Sequence, residues 1–227
     1  MRFTKTISRL SSLTLKAVGA LSLMAFATIP GQLAWSDDQG QPAQQVVRVE
    51  EDWVLVLNQP NDSVISPQVH TAMAPAGNLD GFYAQVVWKY REIPNFTAGG
   101  LQLQLCNAQE VVQFKNDRED PLSTAAETIR WTQVLETSGG VLRFSIVNGQ
   151  SVTWGNFGSG LQLASAGGPD DLSGYSPQVS VQNSCITYGA NRVNVLGIAQ
   201  VRYYGPGGLI YADQSPRAVY ESASGNE

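Results

Sequence analysis

The sequence predicts an all-β fold, a two-layer antiparallel β-sandwich of jelly-roll type; a closed barrel is the alternative. Three observations lead to this prediction. Apolar and polar residues alternate with a period of two in many short segments, as in strands that bury one face. Turn-forming pairs separate these segments, and the 227-residue chain contains 22 glycines. Only one short stretch carries helix signals, so no helical crossovers are available to connect parallel strands.

Several segments justify the strand prediction one by one. The plainest is residues 100–106, where three leucines alternate with two glutamines. Residues 52–58 and 195–204 are apolar on both faces, which suits strands that are covered on two sides. Residues 120–128 form the one predicted helix, with an aspartate cap followed by a proline. Shorter runs predict further strands at residues 69–73, 81–90, 111–114, 128–135, 161–164, 179–181 and 209–211.

Residues 145–157 contain the clearest hairpin signal. A two-residue turn at Asn148-Gly149 would split the apolar residues between the two faces of the hairpin. A three-residue loop that ends in a left-handed bulge at Gly149 instead collects the apolar residues on one face. Phe157 lies beyond the paired part, where it either caps the core or stays exposed. The predicted core-facing set is Leu142, Phe144, Val152 and Trp154.

The first 36 residues are predicted to be a secretory signal peptide and not part of the fold. Four basic residues precede an apolar run over residues 17–26, and Ala34-Trp35-Ser36 matches the small-x-small pattern of a cleavage site. The run is shorter than the roughly 20 residues that a membrane-spanning helix requires. We therefore expect a protein that is secreted or located in the periplasm or cell envelope.

The mature chain is predicted to form one β-sandwich domain over residues 46–221. No internal repeat or low-complexity linker divides this range, and its length suits a single large core. Residues 37–45 and 222–227 are polar ends without periodicity, and we expect them to be flexible.

Removal of the leader makes the chain strongly acidic. The full sequence has 14 Lys and Arg and 19 Asp and Glu; the leader contains four of the basic residues and no acidic one, which leaves a net charge of −9. This charge repels phosphate backbones and anionic lipid headgroups. The sequence therefore predicts no nucleic-acid partner and no membrane insertion after cleavage of the leader.

Two cysteines, Cys106 and Cys185, remain in a chain that is expected to meet an oxidising compartment. We expect a disulfide between them, which would close a loop of about 80 residues and stabilise the fold by roughly 4 kcal/mol on the chain-entropy model. Two separately buried thiols are the alternative, because spacing along the chain does not establish whether the two side chains meet.

The sequence carries no recognisable catalytic machinery, which favours a non-catalytic protein. His70 is the single histidine and would have to serve any Ser-His-Asp or Cys-His set, and no G-x-S-x-G segment accompanies it. Glycoside hydrolysis needs two carboxylates that flank the bond. The acidic run at residues 50–52 has its charges on consecutive positions, and residues 117–120 form a polar connection. A glycan-active hydrolase or lyase with carboxylates from separate strands is the alternative.

No cofactor is predicted, although two loops offer oxygen ligands for calcium. Asp170 and Asp171 follow a Gly-Gly-Pro segment and are the candidate metal ligands. Asn78 and Asp80 form a second candidate. Neither segment follows an EF-hand pattern, and Asp and Asn beside glycine are common turn formers, so turns without an ion are the alternative.

A glycine-rich bend near the C-terminus gathers the candidate ligand-binding residues. Tyr203 and Tyr204 precede the bend at residues 205–208, and Tyr211 follows it. Flat aromatic rings cover the apolar face of a pyranose, so these tyrosines predict a small platform for a sugar, with Phe157 as a further candidate. The four tryptophans of the mature chain lie in predicted strands and are assigned to the core.

The segments NGQSVTWGNFG, LSGYSPQVSVQNS and NRVNVLGIAQVRYY, in this order, resemble a set of secreted bacterial β-sandwich proteins with no assigned activity. The late strand IAQVRYY is similar, at the level of fold only, to the closing strand of concanavalin A-like jelly rolls, which include many sugar-binding domains. This resemblance transfers no functional residue. We expect a protein that binds an extracellular polysaccharide or an envelope protein, or that has a structural role at the envelope. One long unprotected sheet edge would indicate a subunit of a larger assembly.

Overall fold

The computed structural model describes residues 44–90 and 99–222. The predicted signal peptide, most of the predicted N-terminal segment 37–45 and residues 223–227 lie outside the described residues. Thirteen strands, one six-residue α-helix and a short 3-10 helix at Ala190–Arg192 make up the regular structure of the described part. In chain order the elements are β1 (Arg48–Leu57), β2 (Gln68–Met73), β3 (Phe82–Trp88), β4 (Leu101–Asn107), β5 (Glu110–Asn116), β6 (Thr128–Ser138), β7 (Val141–Ser151), β8 (Gly155–Phe157), β9 (Gln162–Ala166), α1 (Pro177–Gln182), β10 (Cys185–Tyr188), β11 (Val193–Gly205), β12 (Gly208–Asp213) and β13 (Arg217–Glu221).

The strands form two antiparallel sheets. The eight-stranded sheet has the order β12-β11-β1-β6-β7-β8, with β13 also paired to β11 and β9 also paired to β7. The five-stranded sheet has the order β10-β2-β3-β4-β5. One hydrophobic core contains residues of both sheets, so the sheets pack face to face and the predicted all-β sandwich is confirmed. The jelly-roll connectivity stays a prediction.

Period-two alternation places one face of each sheet in this core. β1 buries every second residue from Val49 to Leu57, and the three leucines of β4 are fully buried. The predicted assignment of the tryptophans to the core is confirmed. Trp88 lies 4.5 Å from Trp131 in an edge contact and 5.5 Å from Trp154 in a stacked contact, both measured between ring centroids. These rings therefore connect the two sheets at the centre of the sandwich.

The predicted three-residue hairpin loop at residues 147–149, with a left-handed Gly149, is wrong. β7 continues through all three residues, and the chain reverses at residues 152–154 instead. Asn148 has a left-handed φ of 54°, and the pairing of β6 with β7 shifts by one residue between Arg130 and Thr132. The left-handed residue therefore belongs to a bulge in a continuous strand and not to a turn.

The corrected turn changes the predicted core set by one member. Leu142, Phe144 and Trp154 are buried as predicted, but Val152 lies in the turn with 70% of its surface exposed. Phe157 of β8 pairs with Gly149 and lies in the core. A Cβ atom at residue 149 would clash with the Phe157 ring, so the glycine is needed for close approach.

The helix prediction is wrong in two places. A helix was expected at residues 120–128, but residues 120–127 are irregular and β6 begins at Thr128. Conversely, the alternation of residues 179–181 predicts a strand, but α1 occupies residues 177–182. Glu127 is almost fully buried and accepts hydrogen bonds from Ser151 and Thr153, so tertiary contacts decide its backbone conformation. In α1 a proline occupies the first turn, as helix starts favour.

The predicted disulfide is also wrong, because Cys106 and Cys185 are free thiols. Cys106 is buried on β4, Cys185 is exposed on β10, and β2 and β3 lie between these two strands. Neighbouring strands are about 4.8 Å apart, so the separation across the sheet is roughly 14 Å. A disulfide spans at most about 7 Å between Cα atoms, which excludes this bridge.

Candidate functional site

Alternation separates the two neighbouring tyrosines of β11. Tyr203 pairs with Val49, a core residue of β1, so Tyr203 lies on the inner face of the eight-stranded sheet. Tyr204 lies on the outer face, where its hydroxyl donates a hydrogen bond of 3.0 Å to Glu50. Its ring also lies 5.9 Å from the guanidinium carbon of Arg48. Tyr204 is therefore apart from the other two predicted ligand-binding tyrosines.

A group of three rings, here called the tyrosine cluster, consists of Tyr175, Tyr203 and Tyr211. Tyr203 stacks on Tyr211 with 6.2 Å between ring centroids and an interplanar angle of 29°. Tyr175 meets Tyr203 edge-on at 6.1 Å. Tyr175 is 8% exposed and Tyr211 is 39% exposed, so the cluster extends from the core to the surface. Tyr211 presents the ring that a ligand can reach.

An ion pair borders the tyrosine cluster. Asp213 follows Tyr211 by two residues on β12 and so shares its face, and Arg217 of β13 donates a hydrogen bond to the Asp213 carboxylate. Burial acts to raise the pKa of Asp213, but the hydrogen bonds from Arg217 and Ser215 outweigh it and lower that pKa. Asp213 therefore stays ionised, and the pair offers acceptors and donors for hydroxyl groups.

Glu51 lies beneath the cluster and is fully buried. The alternation of β1 points it inward, where it accepts a 2.9 Å hydrogen bond from Trp53 Nε1 and another from the Tyr175 hydroxyl. The same hydroxyl lies 3.0 Å from Ser180 Oγ of α1. Burial raises the pKa of Glu51 to about 7, although the hydrogen bonds from its neighbours favour the charged form. Burial and the nearby Glu51 carboxyl raise the pKa of Tyr175 well above its usual value.

Sequence reasoning missed Glu51, Tyr175, Asp213 and Arg217. It placed Glu51 in an acidic run at the start of a strand. One signal was present in the sequence, because alternation extended back from Trp53 puts Glu51 on the same face. No comparable pattern links Tyr175 to Asp213 and Arg217, which are four residues apart in a later segment of the chain.

Two carboxylates of β1, Glu50 and Asp52, share the outer face of the sheet, which bears on the hydrolase alternative. Arg202 bridges them, with Nε 2.8 Å from Glu50 and Nη2 2.9 Å from Asp52. Burial acts to raise the pKa of Glu50, but hydrogen bonds from Arg48 and Arg202 outweigh it and lower that pKa. A general acid in glycoside hydrolysis requires a raised pKa. This pair therefore has the properties of an ion-pair ladder and not of an acid–base pair.

The candidate calcium ligands lie in loops and are engaged in turns. The Asp171 carboxylate accepts a hydrogen bond of 2.9 Å from the backbone of Ser173, and Asn78 accepts one of 3.1 Å from the backbone of Asp80. Asp170 lies directly before Asp171. Within residues 44–90 and 99–222, no three His, Cys, Asp or Glu side chains come together as a metal site would require. The calcium site stays a prediction without added support.

Phe157 and His70 are the remaining residues that the sequence analysis considered for a functional role. Phe157 is 5% exposed and lies perpendicular to Trp88 and Trp154, each at 5.7 Å between ring centroids, so its ring packs among core side chains. His70 lies on β2 with its Nε2 3.4 Å from the side-chain nitrogen of Gln68. Burial lowers the pKa of His70 below its usual value, which favours the neutral ring at pH 7.

Comparisons with family models and with curated proteins identify no relative. No protein-family model matches the chain, and no curated protein matches it at a significant level. In the part of the chain that the structure describes, no helix is long and apolar enough to cross a membrane. The functional argument therefore depends on the residues of the site.

Proposed function

We propose that this protein is exported, has no catalytic role, and binds an extracellular polysaccharide through the tyrosine cluster and the Asp213–Arg217 pair. The observation that carries the proposal is the Tyr211 ring, which is 39% exposed and held from behind by Tyr203. A ring held in this way loses little conformational entropy when it stacks against the apolar face of a sugar.

The neighbouring Asp213–Arg217 ion pair supplies the hydrogen-bonding groups of such a site. Sugar hydroxyls both donate and accept hydrogen bonds, and Asp213 accepts while Arg217 donates. The net charge of −9 expected for the mature chain disfavours polyanionic glycans. A neutral hexose polymer is therefore the proposed ligand class, and no bound calcium is required for its recognition.

Two features of the sequence support the proposal. The leader over residues 1–36 predicts export, which would place the protein where polysaccharides are abundant. The resemblance to secreted bacterial β-sandwiches and to concanavalin A-like jelly rolls adds an analogy at the level of fold. A structural role at the envelope is compatible with the same placement.

A glycan-active enzyme is the alternative, and the carboxyl groups argue against it. Among the described residues, Glu51 is the carboxyl whose pKa is raised to about 7, as a general acid needs. It is fully buried and bonded to Trp53 and Tyr175, so a glycosidic oxygen has no access to it. The outer carboxylates Glu50 and Asp52 are neutralised by arginine.

The experiment is a glycan-array screen of the purified protein with and without calcium, followed by calorimetry on any polymer that binds. Tyr211→Ala removes the exposed ring and is expected to weaken binding about fivefold, because an aromatic contact is worth about 1 kcal/mol. Leu209→Ala is the matched control. Leu209 lies on the same strand, is 58% exposed, and pairs with Tyr204 on the opposite face.

Three outcomes contradict the proposal. The first is an array without a bound glycan in either condition. The second is an equal loss of affinity in Tyr211→Ala and Leu209→Ala, which would indicate a general effect or the other face of β12. The third is the release of new reducing ends from a bound polymer, which would establish the enzyme alternative.

A further inference from the structure

β5 is an exposed edge strand with an unusual number of apolar side chains. It is the last strand of the five-stranded sheet, and all seven of its residues are exposed. Val111 is 49% exposed, Val112 is 47% exposed and Phe114 is 62% exposed. An edge strand also presents a row of backbone N–H and C=O groups to any strand that can pair with it. Natural proteins protect such edges, so an apolar one indicates an interaction surface.

A bulge in β5 puts two of the apolar side chains on the same face. The pairing with β4 shifts by one residue, so that Val111 lies opposite Cys106 and Phe114 lies opposite Gln104. Cys106 and Gln104 both point to the outer face of the five-stranded sheet, away from the core leucines of β4. Val111 and Phe114 are three residues apart and would otherwise lie on opposite faces. The bulge at Val112 thus creates a two-residue apolar patch along the open edge.

We propose that β5 pairs in an antiparallel arrangement with β5 of a second copy of this chain. The two-fold axis would pass between the third and fourth residues of the strand. In this register Glu110 of each copy lies opposite Lys115 of the other, and Val111 lies opposite Phe114. The two five-stranded sheets would then form one continuous ten-stranded sheet.

The directions of the side chains support this register. The partners on β4 place Glu110 and Lys115 on the inner face and Val111 and Phe114 on the outer face. The Glu110–Lys115 and Val111–Phe114 pairs therefore each join side chains of the same face. A shift of one residue would oppose inner and outer side chains, and a shift of two residues would remove both Glu–Lys pairs.

Charge complementarity identifies a second copy as the occupant. The strand Glu110–Asn116 carries one acidic residue near its start and one basic residue near its end. Such a strand complements itself only when the two copies are antiparallel, since parallel pairing would oppose like charges. Lys115 Nζ donates to the carbonyl of Gly160 at 2.8 Å in an exposed contact, and two of its three donor hydrogens are left for Glu110 of the second copy.

The proposed interface leaves the tyrosine cluster accessible. β5 contacts β9 at one side of the sandwich, whereas α1 contacts β2, β11 and β13 at the other side, where Tyr175 and Tyr203 lie. A dimer through β5 would therefore carry two tyrosine clusters far from its axis. The dimer does not depend on the proposed sugar site, and each can fail alone.

The test is sedimentation velocity of the purified protein from about 1 to 500 µM, because one strand pair is smaller than the roughly 1,200 Å² of a standard interface. A concentration-dependent monomer–dimer equilibrium is expected. Glu110→Lys and Lys115→Glu each turn two attractive pairs into repulsive ones, and each is expected to weaken the dimer at least tenfold. Both residues are exposed, so circular dichroism and thermal unfolding should match the wild type.

Two combinations of these substitutions test the register. The double variant Glu110→Lys/Lys115→Glu restores both opposite-charge pairs and is expected to dimerise within about threefold of the wild type. An equimolar mixture of the two single variants is expected to form a heterodimer, since one copy then carries two lysines and the other two glutamates. Asp62→Lys and Arg130→Glu are matched controls that make the same changes in net charge at exposed residues outside β5.

Four results would overturn the proposal. These are a monomer at every concentration, a dimer that tolerates either single reversal, a double variant as weak as the single ones, and controls that weaken the dimer as much as the β5 variants. The first would indicate that β5 stays unpaired or pairs within its own chain. The last would mean that net charge, and not the Glu110–Lys115 pair, governs association.

Discussion

Glu50 and Glu51 are consecutive residues of β1 in opposite environments. Glu50 lies on the solvent face, where hydrogen bonds from arginines, including one of 2.8 Å from Arg202, outweigh burial and lower its pKa. Glu51 lies in the core, where it is bonded to the neutral donors of Trp53 and Tyr175 and burial raises its pKa to about 7. One step along the strand thus separates an ionised surface group from a carboxyl that takes up a proton near neutral pH.

The difference teaches that the face on which a carboxyl group lies, and not the residues beside it in the sequence, determines the direction in which its pKa shifts. On the solvent face the carboxylate is stabilised by charges that water and salt screen. In the core the same group contributes through hydrogen bonds that cannot be replaced by water. Each face therefore predicts a different response to mutation, pH and salt.

The largest expected effect is the removal of the buried carboxyl. Glu51→Ala is expected to lower the free energy of unfolding by about 4 kcal/mol at pH 5, because it opens a cavity, leaves Trp53 Nε1 without its acceptor and leaves the Tyr175 hydroxyl with Ser180 Oγ alone. Urea unfolding followed by tryptophan fluorescence measures the change. Glu50→Ala is the matched control and is expected to cost about 1 kcal/mol. Equal losses in the two variants would remove the distinction between the faces.

The next effect is a dependence of stability on pH. Glu51 binds its proton more tightly in the folded protein, with a pKa of about 7, than in the unfolded chain, where the ordinary value is 4.5. Its contribution is therefore complete below pH 4.5 and is lost as the pH rises through 7. We expect the wild type to lose roughly 3 kcal/mol over this interval relative to Glu51→Gln, which does not titrate.

Denaturant titrations at pH 4.5, 6 and 7.5 test this prediction. Burial lowers the pKa of His70, so that histidine acts in the opposite direction and increases stability as the pH rises to 6.5. Because both proteins contain His70, the difference between them isolates Glu51. Parallel pH profiles for the wild type and Glu51→Gln would show that the buried carboxyl does not change its protonation over this range.

The two-layer fold was predictable because alternation directly reports which face of a strand is buried. The three leucines of residues 101–105 are apolar at every second position, and the structure buries all of them. The hairpin loop at residues 147–149 was predicted wrongly because an Asn-Gly pair occurs both in hairpin turns and in bulges within a continuous strand. The helix at residues 177–182 was not predicted, because Val179 and Val181 are two residues apart and so show the alternation typical of a strand.

The candidate site was predictable only in part. Tyr203 and Tyr211 flank a short bend, so local sequence brings them together on paired strands. The link between Glu51 and Tyr175 spans 124 residues, and no local pattern encodes it. Tyr204 was grouped with Tyr203 because the two residues are adjacent in the sequence. Adjacent side chains of a strand point to opposite faces, so the two tyrosines are separated.

The smallest expected effect concerns the solvent face, where Arg202 bridges Glu50 and Asp52. Arg202→Met keeps the aliphatic stem and removes the charge, and is expected to cost about 1 kcal/mol in 50 mM salt. In 1 M NaCl the Debye length falls to about 3 Å, so the cost should fall by about half. Urea unfolding at both salt concentrations measures it, with Glu51→Gln as the control because salt does not reach a fully buried site. A salt-independent cost for Arg202→Met would mean that packing of its stem, and not its charge, stabilises this face.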